Sequence, residues 1–401
     1  MRRPAAVLAV LLSLSAPLSA RSWQSATAAP AQGKDPGDAV TRAQLAAAIE
    51  QLGSVEFPVR MHASRTVRRA APALAIPALR QAARGHADGY VRYRALVLLS
   101  GFNDPATREL MIEALAEKND RLRAVAYAYF EDHPDKGVLP RLLEALGKEE
   151  SEFVRPALTR ALAAFGAQPE ARQAMTGLVM KGQAFFRSVV IEALGDYRAS
   201  YALKPLLEVV AIEGPLQDDA ALALGKIGDK AALPALAALQ RTAPREAQPA
   251  IAGAICLLGV NCSSHERFVV ESLRFGIDQP AFQELLRGSA TALAALAAAG
   301  RQDAAVELVV QGAPTRDPAR AAIALALGTV ALRNTPVMLD VLGREALLAP
   351  GVELLREAFD MLEEDYEEER FFVTVRRAFW QAPAGSPARR VAETLVRQLE
   401  F

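Results

Sequence analysis

The sequence predicts an all-α solenoid, a stack of two-helix units, and three observations carry that reading. Arg60, Arg92, Arg123, Arg155 and Arg187 recur at intervals of 32, 31, 32 and 32 residues. Each arginine opens a run whose apolar residues fall at i, i+3, i+4 and i+7, the stripe of a helix buried on one side. Many runs then meet glycine, and a second Leu-rich run follows after a short turn. About ten such units begin near Pro58, Tyr90, Asp120, Glu152, Ala184, Leu216, Ala247, Gly288, Pro318 and Val352.

The clearest copies are Phe186 to Asp196, Asp218 to Asp229 and Ala319 to Gly328. Alanine dominates them because small side chains let neighbouring helices approach closely. Gly195, Gly225, Gly228 and Gly328 read as helix stops, since glycine takes the left-handed position after a helix C-terminus at no steric cost. Pro205 and Pro234 fall in the first turn of the second helices, where an amide hydrogen has no intrahelical acceptor to lose. About ten extra residues centred on Phe275 to Pro280 interrupt the register and predict a bend or an added helical turn. Thr41 to Glu50 and Ser386 to Val396 read as terminal caps of the array.

This pattern, with Leu222 to Asp229 as its sharpest copy, resembles the HEAT repeat, in particular the short HEAT-like variety first associated with phycobilin lyases. The resemblance covers nearly all of residues 43–401. It implies a right-handed superhelix in which the arginine-bearing helices line the concave face and their partners the convex one. It also implies a surface for holding a protein or peptide more than it implies a reaction.

Ahead of the array, residues 1–28 read as a signal peptide: Met1-Arg2-Arg3, then a short apolar stretch broken by Pro17, with cleavage after Ala20 or Ala28. Residues 29–40 read as a flexible linker and 41–401 as the solenoid. The expected location is therefore the periplasm, the cell envelope or the exterior. No later segment has the roughly 20 apolar residues of a membrane span.

The 401 residues are 51% hydrophobic and 23% charged, and 46 basic residues match 46 acidic ones. A chain without net charge has no global field for a polyanion, so nucleic acid is not an expected partner. Charge is nevertheless uneven along the chain. Residues 56–94 are rich in arginine, and Glu363 to Glu369 is an acidic run, which reads as a solvated turn and helix face or as one of two patches that steer a partner.

Only four histidines and two cysteines are present. HEAT-like deoxyhypusine hydroxylases need several His-Glu pairs for their irons, whereas this chain has only His265-Glu266. No Walker or dinucleotide loop, zinc-protease helix or serine-hydrolase elbow occurs. The reading is a non-enzyme with no catalytic residue, no cofactor and no metal. Cys256 and Cys262 fit two readings, a small disulfide across a helix end or a buried thiol beside a turn thiol; a disulfide requires Gly259 to end the helix.

Because the arginines recur at one place in the unit, they read as bridges to carboxylates or helix ends of adjacent layers. Variable positions on the same helices are the better candidates for a partner: Tyr93, Arg94, Tyr127, Arg160 and Glu192, with Met61, His62, Arg65, Asp218 and Asp219 beside them. Tyrosine and arginine combine contact area with directed hydrogen bonds, as interface anchors require. Tyr127 reads equally as interlayer packing. The leading function is an exported scaffold or adaptor that holds a protein or peptide in its concave face. The alternative is a lyase-like or enzyme-accessory protein that handles a small chromophore or modified group. Oligomeric state is not legible in the sequence.

Overall fold

The structure is a computed structural model that describes residues 40–362 and 365–401. The expected signal peptide and all but the last residue of the linker lie outside the described residues, as do Glu363 and Glu364 of the acidic run.

Ten helix layers follow α1 (Arg42–Gln51). In chain order they are α2 (Phe57–Arg69) and α3 (Pro72–Gly85), α4 (Gly89–Ser100) and α5 (Thr107–Ala114), α6 (Asp120–Asp132) and α7 (Leu139–Leu146), α8 (Arg155–Ala164) and α9 (Pro169–Val179). Then come α10 (Ala184–Asp196) and α11 (Leu203–Val210), α12 (Gln217–Ile227) and α13 (Leu233–Thr242), α14 (Gln248–Leu257) and α15 (Cys262–Asp278). The chain ends with α16 (Gln283–Ala298) and α17 (Gln302–Gly312), α18 (Ala319–Arg333) and α19 (Thr335–Leu342), α20 (Glu345–Met361), α21 (Tyr366–Gln381) and α22 (Pro387–Gln398). No strand occurs among the described residues.

The even-numbered helices from α2 to α20 begin at or close to the ten predicted unit starts, and each stacks on the next to form an inner layer. The odd-numbered helices make the outer layer. The extra residues near Phe275 lengthen α15 and α16 to 17 and 16 residues, so the register gap adds turns to an existing pair. At the far end Ser386 caps α22 through its Oγ, with Pro387 in the first turn.

The repeated arginines hold one layer to the previous one. Arg92 donates to the Ala83 carbonyl, Arg123 to Glu117, Arg155 to Glu149, Arg187 to Val179 and Arg320 to Gly312, at 2.7–3.2 Å. Each of these carbonyls lies at or just beyond the C-terminal end of the preceding outer helix, where no intrahelical donor remains and a cation is favoured. Gln217 and Gln248 occupy the same place in α12 and α14 and donate to the Val210 and Ala243 carbonyls at 3.0 and 3.1 Å. The repeat therefore continues where the arginine spacing stops.

Three of the four glycines expected to stop helices lie inside them instead. A Cβ on Gly195 would meet the Ala223 Cα at 2.8 Å, one on Gly225 the Ala254 Cα at 2.6 Å, and one on Gly328 the Ala358 Cβ at 2.8 Å. They are the points of closest approach of successive inner helices, to the backbone of the next helix at Gly195 and Gly225 and to an alanine methyl at Gly328. Only Gly228, with φ of 81°, ends its helix in the left-handed conformation.

The last turn of the array departs from the two-helix pattern. After α20 the outer position, beside α19, is taken by α22. The helix between them, α21, crosses the interior and packs against α18, α4 and α6. Its buried side chains are Tyr366, Glu368, Glu369, Phe371, Phe372 and Val375. Tyr366 meets Tyr129 edge to face, and the Arg68 guanidinium lies 4.8 Å above the Phe372 ring. The concave face expected to hold a partner is thus partly occupied by the chain's own α21, which packs on its N-terminal helices.

Candidate functional site

Where α21 meets the inner layer, charged side chains from helices distant in sequence converge. Arg160 on α8 donates to Glu131 on α6 at 2.8 Å and to Asp196 at the end of α10 at 2.8 Å. Lys226 on α12 donates to the other Asp196 oxygen at 2.7 Å. Arg333 on α18 donates to Glu367 on α21 at 2.7 Å, and Glu367 lies 3.7 Å from Arg160. The Tyr197 hydroxyl donates to Glu131 at 2.8 Å, and Arg370 joins Asp132 at 2.5 Å.

Burial opposes the charges of Arg160 and Asp196, and their partners outweigh it. Burial disfavours the Arg160 cation, but Glu131, Glu367 and Asp196 together hold it above its ordinary value. Burial likewise works against the Asp196 carboxylate, yet Lys226 and Arg160 bring it down to about 2. Burial and the neighbouring Glu131 push the Tyr197 phenol up, which keeps it a donor. Three cations, Arg160, Arg333 and Lys226, meet three anions, Glu131, Asp196 and Glu367, so the cluster is neutral within itself. Such a cluster fixes geometry more than it adds stability.

Beyond this cluster the inner face is open. A cleft of about 310 Å³ lies between α10, α12, α16 and α18. Glu192, Asp219 and Lys226 stand on one side. Ala294, Ala295, Ala322, Leu325 and Ala326 make the opposite side, flanked by Thr291, Thr329 and Arg287. Leu325 is 38% exposed within this cleft. Asp219 accepts a hydrogen bond from Ser188, and burial, together with the nearby Asp218 and Glu192, raises its carboxyl to about 6.

The five residues expected to meet a partner fall into two groups. Tyr93, Arg94, Tyr127 and Arg160 are buried, at 4%, 1%, 1% and 8% exposure. Arg94 donates to the Ser64 hydroxyl at 3.2 Å, and the Tyr127 hydroxyl donates to Glu149 at 3.3 Å. Glu192 is exposed and lines the cleft. Sequence reasoning did not find Leu325, Thr329 or Arg333, which sit one and two turns apart on α18 and complete the cleft. Their signal was present: Leu325 breaks the alanine pattern of its helix at a position that the α18 stripe does not bury.

Cys256 lies on α14 and Cys262 opens α15; the two are bridged, with Cα atoms 4.1 Å apart. Gly259, at φ of 82°, and Asn261, at φ of 44°, make the reversal that brings them together. The Glu266 carboxylate is close to both sulfurs and pairs with Arg301 at 2.6 Å.

The acidic run is not a solvated face where it is described. Glu368 and Glu369 are 5% and 1% exposed, and Glu369 pairs with Arg68 at 2.6 Å and Arg376 at 3.1 Å. The basic and acidic stretches of the sequence thus meet within one chain.

No protein-family model and no curated protein matches this sequence. Solved structures that resemble it include YibA of Escherichia coli, at 17% identity over 54% of this chain and 81% of that one, with a TM-score of 0.40. The CpcE–CpcF complex of phycocyanin lyase from Nostoc sp. PCC7120 is similar at 20% identity, over 56% and 90% of the chains, with a TM-score of 0.35. Human deoxyhypusine hydroxylase is similar at 22% identity, over 54% and 84%, with a TM-score of 0.28. At these identities the likeness extends to the α-solenoid class alone. Among the described residues no single helix is long and apolar enough to cross a membrane.

Proposed function

We propose that the protein is a non-catalytic scaffold or adaptor, a HEAT solenoid of the short, lyase-like type, exported by residues 1–28, that holds a protein or peptide partner in the cleft between α10, α12, α16 and α18. One observation carries the proposal: the inner face is sealed by the chain itself from α4 to α8, and the part left open exposes Leu325 beside free polar groups. Interfaces are built in this way, with an apolar centre and a polar rim. The repeat interval of about 32 residues supports the short type of repeat. The basic start and short apolar stretch support export.

A photo-crosslinking residue placed at Leu325, with Glu208 on the outer helix α11 as control, tests docking in an envelope extract. Adducts at position 325 and not at 208 support the proposal; equal labelling at both, or none at 325, overturns it. Fusion of residues 1–28 to alkaline phosphatase tests export, since that enzyme is active only outside the cytoplasm.

A second reading, handling of a small chromophore or modified group, is favoured by the volume of the same cleft, which lies at the low end of small-ligand pockets of roughly 300–1,000 Å³. Mass spectrometry of the purified protein under native and denaturing conditions separates the two. A retained small molecule favours the second reading, and a bare chain the first.

A further inference from the structure

We infer that the partner enters the cleft through a basic anchor, an arginine or lysine side chain flanked by a small or apolar residue. This deepens the docking function proposed above and rests on it.

The charges around the cleft divide into those already matched and those left over. Arg160, Arg333 and Lys226 are matched by Glu131, Asp196 and Glu367. Arg287 is taken by Glu284 on its own helix. Glu192 and Asp219 line the cleft and Asp218 adjoins it; among the described residues none of the three forms an ion pair within 4 Å, and Lys226 and Arg333, the cations that act on Asp219 and Glu192 from further off, are paired to Asp196 and Glu367. Asp219 is also half-withdrawn from water, and Ser188 and Lys226 offset only part of the cost of its charge, which an incoming cation lowers further. The facing wall offers the opposite chemistry: Ala294, Ala295, Ala322, Leu325 and Ala326 have no side-chain donor or acceptor.

Two carboxylates outside any ion pair, set against an apolar wall, suit a ligand with a cationic head on an apolar stem. Lysine and arginine side chains have that form, and they bury the stem along apolar surface while the head reaches polar groups. The guanidinium has the advantage, because its planar fork can meet two carboxylates at once. Size limits the occupant further. An α-helix is about 10–12 Å across, so 310 Å³ has no room for a helix and its side chains. It accepts one long side chain and a small or leucine-sized neighbour. An acidic segment would meet the like charges of Glu192 and Asp219, and a neutral apolar one would bury those carboxylates without a partner.

The test uses the full chain and three fluorescein-labelled hexapeptides in which leucine alternates with arginine, glutamine or glutamate. Anisotropy is measured at low salt against the native protein, the Glu192→Gln/Asp219→Asn double variant and Leu325→Arg, after circular dichroism has shown that all three have the same helical content at the assay temperature. The arginine peptide should bind at least about tenfold more tightly than the glutamine peptide, the glutamate peptide should not bind, and each variant should weaken the arginine peptide about tenfold. Equal binding of the arginine and glutamine peptides, or an arginine peptide indifferent to the double variant, overturns the basic anchor. If the glutamine or glutamate peptide binds instead and Leu325→Arg removes it, the cleft remains a docking face and only the anchor is lost. If no peptide binds and the crosslinker at position 325 captures nothing, both readings fall.

Discussion

Arg68 on α2 and Glu369 on α21 are 301 residues apart in sequence and 2.6 Å apart in space, with 4% and 1% of their side chains exposed. A pair so fully withdrawn from water is costly to break from one side, because the remaining charge has nowhere to go. Arg376 shares the same carboxylate, so removal of Glu369 strands two cations. We expect Glu369→Gln to destabilise the protein by about 3–5 kcal/mol. Lys148→Ala, which breaks an exposed pair with Glu144, should leave the unfolding midpoint unchanged. Urea unfolding followed by circular dichroism measures both.

The inner glycines should rank by what a methyl group would strike. Gly225→Ala drives a Cβ to 2.6 Å from the Ala254 backbone, where nothing flexible can yield, and should cost about 2–4 kcal/mol. Gly228→Ala meets nothing within 4 Å but must adopt φ of 81°, and should cost about 1 kcal/mol. If Gly225 were a helix stop, as its place in the sequence suggests, the two costs would be alike. Thermal melting of the two variants decides.

Asp219 gives a pH-dependent prediction whose sign is fixed. Its carboxyl titrates near 6 in the folded protein, against 3.8 for the ordinary value, so the folded state holds the proton more tightly than the unfolded state. Ionised Asp219 therefore penalises the fold above about pH 6, the penalty fades as pH falls between 6 and 3.8, and below that it is gone. Asp219→Asn should raise stability by about 1–2 kcal/mol at pH 8 and leave it unchanged at pH 3.5. Melting temperature against pH for both proteins is the measurement. A gain at pH 3.5 as large as that at pH 8 would be the wrong outcome.

The capping position makes a prediction across units. Arg187→Met and Gln217→Met each leave one carbonyl at an outer-helix end without its side-chain donor, and each should cost about 1–2 kcal/mol. Arg123→Met also strips Glu149, whose side chain is 3% exposed, and should cost more, about 2–4 kcal/mol. Equal losses at all three positions would mean that the shared carbonyl bond, and not the carboxylate, sets the energy.

The repeat was readable in the sequence because one geometric problem recurs in every layer. Each outer helix ends with carbonyls that need a donor, and arginine is the side chain that most often supplies it, so Arg60 to Arg187 appear as a ruler. Gln217 and Gln248 solve the same problem with another side chain and escape a search for arginine. The glycines misled for a related reason: Gly195, Gly225 and Gly328 sit at the place in the unit where a stop is expected, but close approach of the next helix, a tertiary constraint, is what demands them. The path of α21 was not readable. Its run of acids followed by paired aromatics suits either a solvated helix with one apolar side or a buried helix with ionic partners, and only partners hundreds of residues away decide between them. The same crossing explains why Tyr93, Arg94, Tyr127 and Arg160, on helices rightly placed in the inner layer, lie under the chain's own cover while Glu192 does not.

An open stack of repeats can fray layer by layer from either extremity, since each layer leans only on its neighbours. The crossing of α21 changes that. With α2, α4 and α6 fastened to the final forty residues, the first layers cannot peel away without uncoupling the last, and the ribbon gives up the spring-like give of its open counterparts. It should melt as one body, and a cargo gripped between α10 and α18 would be held by a hoop, not by a hook.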